Sequence, residues 1–120
     1  MLYAILCYNS EAVTGSWTKA EDDAVLARRH RVTDTLAAQG KLGPVARLMP
    51  TTAATTVRAG REPLVTDGPF AETKEQLLGF YIVDCASLDE AIAAAKGMVD
   101  DTGAMEIRPL RLLNPGTLAK

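Results

Sequence analysis

A chain of 120 residues, 48% of them hydrophobic, is long enough for one globular domain around one core and leaves no room for a second domain or a long disordered segment. With a formal charge of −2 and a pI of about 5.3, it lacks the basic field that neutralises nucleic-acid phosphates, so direct nucleic-acid binding is not expected. Its two cysteines, Cys7 and Cys85, lie far apart and read as reduced core thiols rather than as a disulfide or a nucleophile in an electropositive setting.

The opening run Met1 to Tyr8 has no basic n-region, no small-residue cleavage site and too few apolar residues to span a bilayer, so a cytoplasmic location without membrane contact is expected. Tyr3 to Tyr8 is almost uniformly apolar and β-rich, the pattern of a strand buried on both faces. Thr18-Lys19-Ala20-Glu21 then has capping-box spacing and opens a helix that the pattern carries to Gln39, with Gly40 as terminator. Val25, Val32 and Leu36 form its buried stripe, and His30 falls on the margin beside Leu26 and Ala37. The acids Glu21, Asp22 and Asp23 precede the cluster Arg28-Arg29-His30-Arg31, an order that suits the helix dipole, and the cluster reads as a solvated face.

Gly43-Pro44 interrupts the next segment, leaving a short strand near Val45 to Met49. Thr55–Arg58 and Pro63–Val65 read as a hairpin turning at Ala59-Gly60-Arg61-Glu62, with Gly60 where a positive φ is needed, and Asp67-Gly68-Pro69-Phe70 closes it. Leu77 to Asp84 is the clearest strand, Ser87-Leu88-Asp89-Glu90 repeats the capping-box spacing before a second helix, and Ala104 to Leu113 alternates as a last strand. The order is an α+β arrangement, βαββαβ with an inserted β-hairpin, one domain over residues 1–120. Right-handed crossovers place both helices on one face of an antiparallel sheet. Two strands apolar on both faces, with helices for only one, imply that a second copy covers the other face as a homodimer.

Turn chemistry accounts for much of Asp67-Gly68-Pro69-Phe70: the aspartate accepts backbone N–H bonds, glycine tolerates unusual φ, proline fixes φ and phenylalanine anchors the turn. The other role open to Asp67 is chemical, since a partly desolvated carboxylate is a proton acceptor. An imidazole ordinarily changes charge near neutrality, which suits His30, the one histidine, to general acid or base work. Tyr81 and Arg108 are candidate substrate-binding groups, Arg108 either for an anionic molecule or for a cross-strand acid. Glu72 and Lys74 read as a solvated ion pair beside the turn. No ligand spacing for a metal and no glycine-rich phosphate loop is present, so neither metal nor organic cofactor is expected.

The ordered series Asp67-Gly68-Pro69-Phe70, Glu72, Lys74-Glu75, Gly79-Phe80-Tyr81, Ser87-Leu88-Asp89-Glu90-Ala91 and Glu106-Ile107-Arg108-Pro109 resembles the YCII-related, or DGPF-domain, proteins over nearly the whole chain. The resemblance implies a ferredoxin-like fold of the dimeric α+β barrel superfamily. The wider group includes a dehydrochlorinase of a chlorinated hydroxyquinol whose proposed site pairs a helix histidine with an aspartate, and His30 and Asp67 match those roles. Two readings follow. One is a lyase- or isomerase-type enzyme performing cofactor-independent proton transfer on a small anionic or phenolic molecule, with His30 and Asp67 catalytic. The other is a non-catalytic dimeric module binding a small ligand or a protein, which the resemblance links to extracytoplasmic-function sigma factors and transcriptional regulation.

Overall fold

The computed structural model describes residues 1–118. Six strands, β1 (Leu2–Asn9), β2 (Leu42–Arg47), β3 (Thr55–Arg58), β4 (Leu64–Asp67), β5 (Gln76–Asp84) and β6 (Ala104–Pro109), divide into two sheets. The larger is wholly antiparallel in the order β2-β5-β1-β6, the ferredoxin-like order once the inserted β3–β4 hairpin is set aside. The two most apolar strands, β1 and β5, occupy its centre, where each is paired along both edges. Three helices accompany it: α1 (Glu11–Thr14), α2 (Lys19–Ala38) and α3 (Leu88–Met98).

Alternation along β1 sends Tyr3, Ile5 and Cys7 to the face that α2 and α3 cover. There Tyr3 and Ile5 join Leu36 from α2, Val83 from β5, Cys85 just beyond it, and Ala91, Ala94, Ala95 and Met98 from α3 in one apolar cluster. Small alanines let α3 approach the sheet closely, and Met98, fully buried, fills the gap that they leave. The opposite face presents Leu2, Ala4, Leu6, Tyr8 and Phe80, half-exposed, with no helix over it.

Local signals explain most boundaries. Thr18 accepts the Glu21 N–H while the Glu21 carboxylate accepts the Thr18 N–H, both at 3.1 Å, so the capping box of α2 is complete. At α3 only half of the expected box forms: Ser87 accepts the Glu90 N–H, but the Glu90 carboxylate turns to the Ala86 N–H and to Lys41. β2 begins earlier than Val45 and runs through Pro44, because it is an edge strand with a bulge between Leu42 and Val45, where the missing N–H removes no ladder bond. A Cβ on Gly79 would lie 2.4 Å from the Ala46 carbonyl oxygen, so the close approach of β2 to β5 requires glycine there. β6 ends at Pro109 rather than Leu113, and its last tie is the Leu110 N–H to the Leu2 carbonyl.

Two expectations are corrected. Positive φ occurs in the hairpin region at Gly68 (94°), not at Gly60, so the corner that needs glycine lies at the base of the hairpin and not at its tip. Arg28 and Arg29 do not form a solvated face with Arg31: Arg28 Nε donates to the Gly97 carbonyl at 3.2 Å and Arg29 Nε to the Met98 carbonyl at 3.4 Å. These cations satisfy the last carbonyls of α3, where the helix dipole favours positive charge. Among the described residues no helix is long and apolar enough to cross a membrane.

Lys41, just beyond α2, joins the first turn of α3 through its bond to Glu90 at 2.7 Å. The hydrogen bond from Lys41, and after it that from the Ala86 N–H, holds the Glu90 carboxyl below its ordinary range, and the same Lys41–Glu90 bond raises the Lys41 ammonium. The stabilisation is therefore complete between the two ranges. It is lost in acid as pH falls through the depressed value of Glu90, and in strong base as pH rises through the raised value of Lys41. Lys41→Met is expected to lower the thermal midpoint at neutral pH, with the gap from wild type closing in acid when followed by circular dichroism across a pH series. A gap that persists at low pH would assign the effect to packing of the lysine stem.

Candidate functional site

The end of the sheet where β1 runs out and β5 begins carries the densest polar structure. Asn9, the last residue of β1, lies opposite Gln76, the first of β5, after a bulge that shifts register between Cys7 and Tyr8. Only 2% exposed, Asn9 uses its amide fully: Oδ1 accepts the Ser10 N–H at 2.7 Å, and Nδ2 donates to Asp100 Oδ1 and to Thr102 Oγ1, both at 3.0 Å. The other oxygen of Asp100 takes Arg29 Nη2 at 3.3 Å. Both partners are largely withdrawn from solvent, and the additional hydrogen bonds to Asp100 offset the cost of removing its charge from water.

Arg29 also bears on two neighbouring groups. Burial pushes the Tyr81 phenol above its ordinary range, and the positive charge of Arg29 moderates that rise. Burial likewise raises the Cys7 thiol, with Arg29 acting against it, and raises the Cys85 thiol; both cysteines are free and buried, the setting of inert core thiols.

On the other flank of the same sheet end, the Glu11 N–H donates to Gln76 Oε1 at 2.8 Å, and Gln76 Nε2 donates to the Thr73 carbonyl at 2.7 Å. The Glu11 carboxylate receives both the Thr51 N–H, at 2.8 Å, and the Thr51 hydroxyl. Thr51 opens a single 3-10 turn, Thr51–Ala53, that the sequence does not advertise. Fixed in this way, Thr51 and Gln76 form two walls of a cavity of about 320 Å³, and Thr52, Gly68, Pro69, Ala71, Glu72 and Thr73 supply the rest.

The turn over this cavity is held at its backbone groups, by one backbone partner and two side chains. The Gly68 N–H donates to the Ala54 carbonyl at 2.8 Å, the Gly68 carbonyl accepts the Thr56 hydroxyl at 2.7 Å, and the Phe70 carbonyl accepts Arg58 Nη2 at 3.0 Å. Two expected turn roles are not found. The Phe70 ring is 74% exposed and anchors nothing, and the Asp67 carboxylate makes no hydrogen bond or ion pair among the described residues. The expected Glu72–Lys74 ion pair is likewise absent among them.

His30 is exposed on α2 rather than on the margin of its buried stripe; its carbonyl accepts the Thr33 hydroxyl. No hydrogen bond or ion pair joins His30 to Asp67 among the described residues. Tyr81 lies opposite Ile5 and faces the helices, whereas Arg108, exposed on β6, lies opposite Ala4 and faces the uncovered side of the sheet. A single copy therefore does not place Tyr81 and Arg108 in one pocket, and none of the four residues lines the cavity beneath the turn. Among the described residues no group of three or more His, Cys, Asp or Glu is arranged to hold a metal ion.

The YCII-related domain matches residues 1–114. The chain belongs to the YCII-related family. A relative in Rhizobium meliloti (strain 1021), itself described as an uncharacterized protein, is 57% identical over 122 aligned positions that cover 98% of each chain.

Within this YCII-related chain, sequence reasoning passed over Asn9, Glu11, Gln76 and Asp100, and read Arg29 as solvated. The available signals were an asparagine ending an otherwise apolar strand and a glutamine immediately before Leu77-Leu78-Gly79. Removing one partner of the buried pair should be the most costly change at this end: Asp100→Ala leaves Arg29 without its counter-charge and is expected to destabilise by about 3 kcal/mol in urea unfolding. Gly68→Ala is expected to cost only about 1 kcal/mol and to disturb the turn alone, since nothing lies within 4 Å of the added methyl and only the φ of 94° opposes it. Equal losses from the two variants would contradict this ranking.

Proposed function

We propose that this chain is a homodimeric small-molecule-binding protein whose ligand lodges beneath the Gly68–Thr73 turn. The observation that carries this reading is the cavity itself, with hydrogen-bonded walls at Thr51 and Gln76 and a turn tied to Ala54, Thr56 and Arg58 without the adjoining Asp67 carboxylate. A carboxylate that its own turn does not need is available to a ligand. The uncovered face at Leu6, Tyr8 and Phe80 supports the homodimer, since a contiguous apolar sheet face in water calls for a partner.

The finer form of the reading, whose site lies apart from that cavity because none of its four residues lines it, is cofactor-independent proton transfer on an anionic or phenolic molecule. His30 moves the proton, Asp67 orients or charge-balances it, and Tyr81 and Arg108 hold the substrate. What favours it is the same unengaged Asp67. A site containing all four draws on both copies, because Tyr81 and Arg108 face opposite sides of one sheet.

The test is calorimetric titration with hydroxyquinol and its chlorinated form, followed by a turnover assay on whichever binds. Asp67→Asn should keep the fold and weaken binding about tenfold or more, through loss of a charge-assisted hydrogen bond. His30→Gln should reduce turnover, and the double variant should lose little beyond the worse single one if the two act as a unit. Gln76→Ala and Thr51→Ala with wild-type affinity would remove the cavity from consideration, and full turnover by both single variants would eliminate the His30–Asp67 pair. Light scattering is expected to show a dimer that Phe80→Asp disrupts.

A further inference from the structure

The hairpin β3–β4 forms a sheet of its own, paired with no other strand. Along both strands every residue except Thr56 is exposed, the apolar Val57, Leu64 and Val65 included. Val57 and Val65, 65% and 62% exposed, face each other across the pair, so their side chains share one face of the ribbon. Leu64 shows on the other face, and Leu48, Met49 and Phe70 stand exposed in the flanking segments. A two-stranded hairpin with neither face covered is marginally stable in water at best.

Two dimensions of the whole molecule agree. The radius of gyration is 16.0 Å, against about 14 Å for a compact chain of this length. The accessible surface is 8635 Å², against about 6,300 Å² for a compact monomer of this mass. The extended C-terminal segment, with Leu112 and Leu118 exposed, contributes to the difference. The excess is nonetheless of the size that one subunit buries in an obligate dimer, and well above the roughly 800 Å² per partner of an ordinary complex.

We propose that the β3–β4 hairpin is an arm that clasps a second copy of this chain, burying its Val57–Val65 face there. This rests on the homodimer reading and adds to it a contact separate from the sheet face. A second copy fits better than an unrelated protein for two reasons. One chain carries both unpartnered apolar surfaces, the arm and the open sheet face, and a two-fold arrangement covers each of them twice. The arm also has no net charge, with Arg58 and Arg61 balanced by Glu62 and Asp67, so nothing in it repels its own kind.

The test is sedimentation velocity over a concentration series on the full chain, comparing wild type with Val65→Asp, Thr66→Lys on the opposite face, and Phe80→Asp on the open sheet. The arm requires Val65→Asp to weaken the dimer roughly a hundredfold while Thr66→Lys leaves it within a few-fold of wild type. A Val65→Asp dimer of wild-type affinity, or an equal loss in Thr66→Lys, would overturn the arm; in the first case a Phe80→Asp monomer would leave the sheet-face homodimer standing. A wild type that stays monomeric throughout would overturn both. Should Val65→Asp misfold, hydrogen exchange on the wild type decides: protection of the Thr55–Asp67 amides that rises with protein concentration supports the arm, and fast exchange independent of concentration overturns it.

Discussion

Strands β1 and β5 carry apolar side chains on both faces, while the two long helices pack on the same one. Most other features of the molecule follow from that imbalance. The covered face becomes the core, closed by Leu36, Ala91, Ala95 and Met98. The uncovered face leaves Leu6, Tyr8 and Phe80 half-exposed on central strands that are already paired along both edges, so a surface laid over that face, and not a strand added beside them, is what shields them. The homodimer proposed above answers that need, and the hairpin arm extends the same logic to a second exposed surface.

The second organising contact is polar. Arg29 reaches from α2 past the last turn of α3 to Asp100, and Asp100 is bonded in turn to Asn9 at the end of β1. One guanidinium thus joins two helices to the sheet, and its charge is felt by Tyr81 and Cys7 beneath it. Because α2 buries few apolar residues, this anchoring replaces part of the packing that a more amphipathic helix would supply. It also fixes the strand end from which Ser10 and Glu11 depart, and Glu11 fixes Thr51 and, through its N–H, Gln76. The cavity beneath the turn therefore rests on a chain of hydrogen bonds that begins in the core.

In the turn itself, conformational and chemical roles separate. Gly68 supplies the unusual φ and two of the ties, whereas Asp67, beside it, pairs with Thr55 through its backbone and leaves its carboxylate unengaged among the described residues. Such a division leaves the carboxylate open to selection by something outside the turn, a ligand in the reading proposed here.

The sequence by itself determined the α+β class, the βαββαβ order with its inserted hairpin, the start of each long helix and the two faces of the central strands. Each of these depends on interactions within a few residues: capping hydroxyls at Thr18 and Ser87, alternation along β1, apolar runs of strand length. Tertiary structure alone decided that Pro44 is tolerated, because β2 is an edge; that Gly79 is required, because a neighbouring carbonyl crosses it; and that Arg29 turns inward to Asp100, 71 positions away. It also decided that Tyr81 and Arg108 face opposite sides of the sheet and that His30 points to solvent. Contacts between distant segments have no local periodicity to announce them, and a polar side chain looks the same in sequence whether it meets water or a buried partner.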